Sequence, residues 1–131
     1  MANNIELFQA EIDSALLNFK NANYLETINI LDKLKKKLSH FIVYWYLGHS
    51  YFRIYDYSSA INCIKKSIEL KEKDVLNLSF LAEIFLASNN YNEAIKLFKE
   101  VLEYDKKNIN SLFNLAKAHS DLGELKIAVN Y

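Results

Sequence analysis

The stretch Tyr44-Trp45-Tyr46-Leu47-Gly48-His49-Ser50-Tyr51 decides how the chain folds. Tyr44, Leu47, Gly48 and Tyr51 stand at i, i+3, i+4 and i+7, so they share one face of a helix. Moving outward, a shift of 34 residues brings like residues into register: Tyr44, Leu78 and Leu112; Leu47, Leu81 and Leu115; Gly48, Ala82 and Ala116; Tyr51, Phe85 and His119. A second set repeats as well: Tyr57, Tyr91 and Leu125; Ala60, Ala94 and Ala128; Ile61, Ile95 and Val129. Ala60, Ile61, Ile64 and Ile68 again share a helical face, so each unit reads as two helices joined by a short polar segment. Those segments include Asp56, Asn89-Asn90 and Asp121-Leu122-Gly123.

The punctuation repeats with the unit. Asp74 and Asn108 are placed to cap the helices that follow them. Asn23/Glu26 and Asn90/Glu93 have the spacing of a capping box. Asn89 and Gly123, at equivalent positions, are expected to end a helix in the left-handed region. The recurrent small residues Gly48, Ala82 and Ala116, with Ala60, Ala94 and Ala128, let paired helices approach closely while aromatic and branched residues fill the space around them.

These residues resemble the tetratricopeptide repeat, whose signature runs W-x2-L-G-x2-Y, then A-x3-F, then P. Tyr44 stands where the family has Trp, Leu47, Gly48 and Tyr51 match, and Ala60 and Ile64 follow. The run NYNEAIKLF over 90–98 is similar to the family's second helix. Glu72 and Lys106 replace the terminal Pro, and the first unit joins at an offset of 33, from Tyr24 to Tyr57, with Thr27 where Ala is expected. The resemblance implies an all-α fold, a right-handed α-solenoid of about 3.5–4 stacked antiparallel hairpins. The whole of 1–131 then forms a single domain with units at about 4–40 (degenerate), 41–74, 75–108 and 109–131 (truncated). The last unit stops inside its second helix, leaving Leu112, Leu115, Leu122, Leu125 and Ile127 incompletely covered. A second copy of the chain, forming a homodimer through the C-terminal repeat edge, or residues following in a longer protein would cover that edge.

Composition agrees with a folded helical chain: 51% of residues are apolar, 24% are charged, and the 131 residues contain no Pro and only two Gly. Sixteen basic residues balance sixteen acidic ones, and all the basic residues but Arg53 are Lys. A neutral chain lacks the positive field that nucleic acid or an anionic membrane requires. The run Lys33-Leu34-Lys35-Lys36-Lys37 reads as cations closing a helix at the negative end of its dipole. No apolar run reaches the roughly 20 residues of a membrane span, and 1–12 does not read as a cleaved leader. Cys63, the single thiol, sits in an apolar helical pattern and reads as a small buried hydrophobe. A cytoplasmic location fits these features.

Catalytic chemistry is not indicated. His40, His49 and His119 are too scattered for a metal site, two isolated Gly cannot build a phosphate loop, and no nucleophile motif occurs. We therefore expect no enzymatic activity, no cofactor and no metal. His119 reads as a packed, hydrogen-bonded imidazole in its repeat's ring position.

In the tetratricopeptide family the first helix of each hairpin lines a concave groove that holds a peptide or helix of a partner protein. Carried onto this chain, that implies partner-binding positions at Trp45, His49, Phe52, Arg53, Phe80, Glu83, Phe113 and Lys117. Trp45, His49, Phe52 and Arg53 form one helical stripe, separate from the Tyr44–Tyr51 face. Members that clamp acidic chaperone C-termini use Lys, Asn and Arg at the inner positions; here only Arg53, Asn114 and Lys117 remain, scattered among apolar residues. A partner presenting an amphipathic helix or apolar strip fits better. The alternatives are a targeting or regulatory arm of a larger enzyme, such as a group transferase, whose catalytic domain is absent from these residues, or self-assembly through the repeat edges.

Overall fold

The structure, a computed structural model, describes residues 4–71 and 74–130, with side chains over 5–71 and 74–124. Among the described residues are seven α-helices and no strand: α1 (Gln9–Lys20), α2 (Tyr24–Leu34), α3 (Phe41–Arg53), α4 (Tyr57–Leu70), α5 (Val75–Ala87), α6 (Tyr91–Tyr104) and α7 (Ile109–Asn130), preceded by a 3-10 turn at Asn4–Phe8. They fall into two compact units, Met1–Glu72 and Lys73–Tyr131.

In the first unit α1 pairs with α2 and α3 with α4, and α2 packs on α3. Ile12, Ala15, Leu31, Leu34, Leu38, Val43, Leu47 and Cys63 form its buried cluster. In the second unit α5 pairs with α6, and α7 packs on α6 and touches α5. Its core is built from Leu78, Leu81, Ala82, Ile84, Phe85, Ala94, Phe98, Val101 and Ala118.

The small positions do what their recurrence implies. Ala60, Ala82 and Ala94 are fully buried. At Gly48 an added Cβ would overlap the Ile64 side chain and lie 3.5 Å from the carbonyl oxygen of Ala60, so a methyl here would have to displace Ile64 although the α4 backbone itself leaves room for it. Thr27 fits the same column in the first hairpin: it is fully buried, and its hydroxyl lies 3.2 Å from the Ala15 carbonyl and 3.1 Å from that of Asn23. That pairing satisfies the one polar group Thr adds and fixes the register of the first unit.

Each of the three hairpin turns is closed in the same way. Ala22, Tyr55 and Asn89 adopt left-handed backbone with φ of 61°, 67° and 65°. The following N–H, of Asn23, Asp56 or Asn90, donates back to the carbonyl of Asn18, Tyr51 or Phe85 at 2.8–2.9 Å. This is a Schellman closure. It corrects the expected capping boxes: neither Asn23 nor Asn90 makes a side-chain cap. The N–H that Glu26 or Glu93 would have reached is already used by the preceding helix. Asp74 and Asn108 do cap, accepting from Asn77 N–H at 2.7 Å and Ser111 N–H at 2.9 Å. Asp56 caps Ser59 at 3.2 Å, and the imidazole Nδ1 of His40 accepts from Ile42 N–H at 3.1 Å.

The fourth unit departs from expectation. Residues 121–123 form no turn; α7 runs unbroken through them, and neither Gly has positive φ. A single Gly within a helix costs about 1 kcal/mol, less than leaving a new set of helix-end groups unpaired. With no second helix behind it, His119 is exposed, not packed as expected from its column. Leu112 is exposed too, and Leu115 and Leu122 are half-buried, whereas the side chains of Leu125, Ile127, Ala128 and Val129 lie outside the described residues.

Candidate functional site

On α3 the stripe Trp45, His49, Phe52 and Arg53 meets aromatic residues from the first hairpin. Phe19, near the end of α1, sets its ring 5.2 Å from Tyr46 and 6.2 Å from His49, both edge to face. Tyr24, the first residue of α2, lies 5.5 Å from Phe19. The Trp45 and His49 rings are 4.3 Å apart. Arg53 is exposed, with its guanidinium 5.9 Å from the Tyr24 ring, within cation–π range. Phe52 is half-buried, 5.7 Å from Tyr57 of the next helix.

His49 is therefore the packed centre of this cluster. Burial, reinforced by the neighbouring Arg53, pushes its pKa down to about 4, so the imidazole is neutral at physiological pH. Trp45 and Phe52 remain half-exposed and Arg53 exposed, presenting apolar rings beside one fixed cation. That composition suits a protein contact. Sequence reasoning overlooked Phe19 and Tyr24. The signal was present, since the offset of 33 that joins Tyr24 to Tyr57 also puts Phe19 in register with Phe52.

In the second unit the expected residues separate. Phe80 is only 7% exposed and belongs with the core of α5. Glu83 is half-buried, and burial raises its carboxyl pKa above the usual range. On α7, Phe113 is 69% exposed and Lys117 lies one turn beyond it, 3.5 Å from Asp121. His49, Glu83 and Lys117 occupy one column of the 34-residue repeat; Trp45, Ser79 and Phe113 occupy another.

Other chemistry is sparse. Among the described residues no group of three His, Cys, Asp or Glu is placed to hold a metal ion. Cys63 is buried, and burial pushes its thiol up to about 11, which keeps it protonated and unreactive. An open cleft of about 340 Å³ is lined by Phe8, Ile30 and Leu34 with Glu11, Glu26, Lys33 and Lys37, none of them in the aromatic stripe. Lys35 of the basic run pairs with Asp32 at 3.1 Å. No described helix is long and apolar enough to cross a membrane.

Two family models match the chain, one described as tetratricopeptide repeat over residues 43–74 and one as TPR repeat over 82–123, together more than half of its length. No curated protein matches it. Among solved structures it is similar to the first TPR of Spaghetti (RPAP3) bound to the HSP90 peptide SRMEEVD, with TM-score 0.78 and 20% identity, covering 88% of this chain and 92% of that one. It is also similar to the second TPR domain of human RPAP3 in complex with the HSP70 peptide SGPTIEEVD, with TM-score 0.75 and 19% identity, covering 83% and 92%. A crystal structure of MamA protein matches with TM-score 0.81 and 17% identity over 94% of this chain and 68% of that one.

Proposed function

The chain belongs to the tetratricopeptide-repeat family, and from that premise we propose that it is a non-catalytic protein–protein interaction module of the cytoplasm. Its ligand is a peptide or helix of a partner protein, held by the first helices of its hairpins. The observation that carries this reading is the α3 stripe, where half-exposed Trp45 and Phe52 flank exposed Arg53 on a surface backed by Phe19 and Tyr24. Phe113 and Lys117 on α7 supply a second apolar-and-cationic pair.

The chemistry favours an amphipathic or apolar segment over an acidic C-terminus of the kind bound by the RPAP3 domains. A carboxylate clamp needs several converging cations or amide donors. In the second unit the position one repeat before Lys117 is half-buried Glu83, an acid. An acidic ligand would meet one cation and one acid there.

Capture from native lysate tests the reading, using the wild-type chain beside Phe52→Glu and Phe113→Glu variants whose helicity is first checked by circular dichroism. A partner kept by the wild type and lost by the folded variants supports the stripe. Retention of the same set by all three overturns it. Anisotropy titration with SRMEEVD is expected to show no saturation at micromolar concentrations.

A further inference from the structure

The position just before the first helix of a hairpin recurs every 34 residues as His40, Asp74 and Asn108. All three side chains cap the helix that follows. Asp74 accepts from Asn77 N–H at 2.7 Å and Asn108 from Ser111 N–H at 2.9 Å, each through a side-chain oxygen. His40 accepts from Ile42 N–H at 3.1 Å through Nδ1, ahead of α3. A carboxylate or amide oxygen goes on accepting in mild acid, whereas an imidazole nitrogen accepts only while it carries no proton.

The start of α3 is also where this helix is fastened to the end of α4. The His40 ring stacks on Phe41 with centroids 4.6 Å apart, and the Phe41 carbonyl accepts from the Ser67 hydroxyl at 3.1 Å. The Lys71 ammonium lies 4.7 Å from the Phe41 ring. On the neighbouring elements the charged groups are Lys36 and Lys37, in the segment leading from α2 to His40, and Lys71 at the end of α4. Asp32 is taken up by Lys35 and Tyr51, and Glu69 is paired with Lys66 at 3.4 Å. Among the described residues no carboxylate pairs with His40. No described anion therefore offsets an imidazolium here, and its charge would sit at the positive end of the α3 dipole.

We propose that His40 is a proton-sensitive cap that singles out α3: neutral, it starts the helix at Phe41; protonated, it releases Ile42 N–H and loosens the first turn and its fastening to α4, while Asp74 and Asn108 keep their own helices capped. The sign of the titration agrees, since burial holds the His40 pKa below its ordinary 6.5. The cap's contribution is complete above pH 6.5 and is lost as pH falls below it. Because α3 carries Trp45, Phe52 and Arg53, a ligand held by that stripe is released more readily in acid. This consequence rests on the proposed contact surface; the cap itself does not.

Heteronuclear NMR of the full chain between about pH 8 and 5 reads the cap directly. The Ile42 amide should shift along the same titration curve as the His40 ring. Protection of the Val43 and Tyr44 amides against hydrogen exchange should fall about fivefold as the cap is lost. The Ser111 amide, capped by Asn108, should not follow. His49 titrates in the same direction from within α3, so His40→Asn and His40→Asp, which copy the residues at 108 and 74, separate the two. In both variants the protection at Val43 and Tyr44 should stay level across the range. An Ile42 amide that ignores the His40 titration, or the same loss of protection in the variants, would overturn the proposal. Partner loss in Phe52→Glu bears on the stripe alone, so either reading can fail without the other.

Discussion

The Tyr51 hydroxyl donates to Oδ2 of Asp32 across 3.0 Å, tying α3 of the second hairpin to α2 of the first. Asp32 also holds Lys35 at 3.1 Å, so one carboxylate serves both the joint between hairpins and the end of α2. Tyr51→Phe keeps the ring and removes the donor, and is expected to cost about 1 kcal/mol, measured by urea unfolding.

The same joint makes the protein sensitive to alkali. Burial, and then the bond to Asp32, push the Tyr51 pKa from 10.0 up to about 12. The folded state thus holds this proton more tightly than the unfolded chain. The stabilisation is complete below pH 10 and lost as pH rises towards 12. Unfolding midpoints measured between these limits should fall less steeply for Tyr51→Phe than for the wild type, while the loss due to buried Cys63, whose thiol is raised from 9.0 to about 11, persists in both.

Acid acts through His49. With the pKa lowered from 6.5 to about 4, chiefly by burial, the folded state favours the neutral imidazole. Its contribution is complete above pH 6.5 and falls away as pH drops towards 4. A His49→Phe chain, titrated beside the wild type, should lack that part of the slope; parallel curves would show that His49 does not titrate in the folded cluster.

Close contact at Gly48 gives a steric prediction. Gly48→Ala forces a methyl into the Ile64 side chain and should cost about 1–3 kcal/mol. Ile64→Val removes the nearest clashing atom, so the double variant should lose less than the two single changes summed.

Backbone strain can be relieved at one turn and not at another. Ala22 is exposed and left-handed, so Ala22→Gly should raise stability by about 1 kcal/mol. Gly123 is helical with open space at its Cβ position, and Gly123→Ala should preserve or raise helicity, read by circular dichroism. A loss of helicity in the second variant would mean that residue 123 needs the left-handed region after all.

Hairpin pairing was legible in the sequence because close packing of two helices demands small residues at fixed intervals, and Gly48, Ala60, Ala82 and Ala94 recur accordingly. Caps at Asp74 and Asn108 were legible because they depend on a side chain and an N–H three residues away. The capping boxes at Asn23 and Asn90 were misread because a backbone N–H can be used once, and which carbonyl takes it depends on how the preceding helix ends. Phe80 looked available on its helical stripe, yet it is buried, since a stripe on one helix does not reveal which neighbours cover it. The offset of 33 puts Phe19 and Tyr24 in register with Phe52 and Tyr57, but that they back the α3 stripe follows only from the packing of one hairpin on the next.

By itself the sequence determined the repeat, its all-helical character and the small-residue columns at which the first three pairs of helices meet, because these follow from periodicity and side-chain volume within a few turns. Only the tertiary structure decided that Phe19 backs the α3 stripe, that Tyr51 binds Asp32, and that α7 passes straight through Gly123. Those outcomes depend on contacts between residues distant in the chain, and at Gly123 on a balance of about 1 kcal/mol that local sequence leaves open.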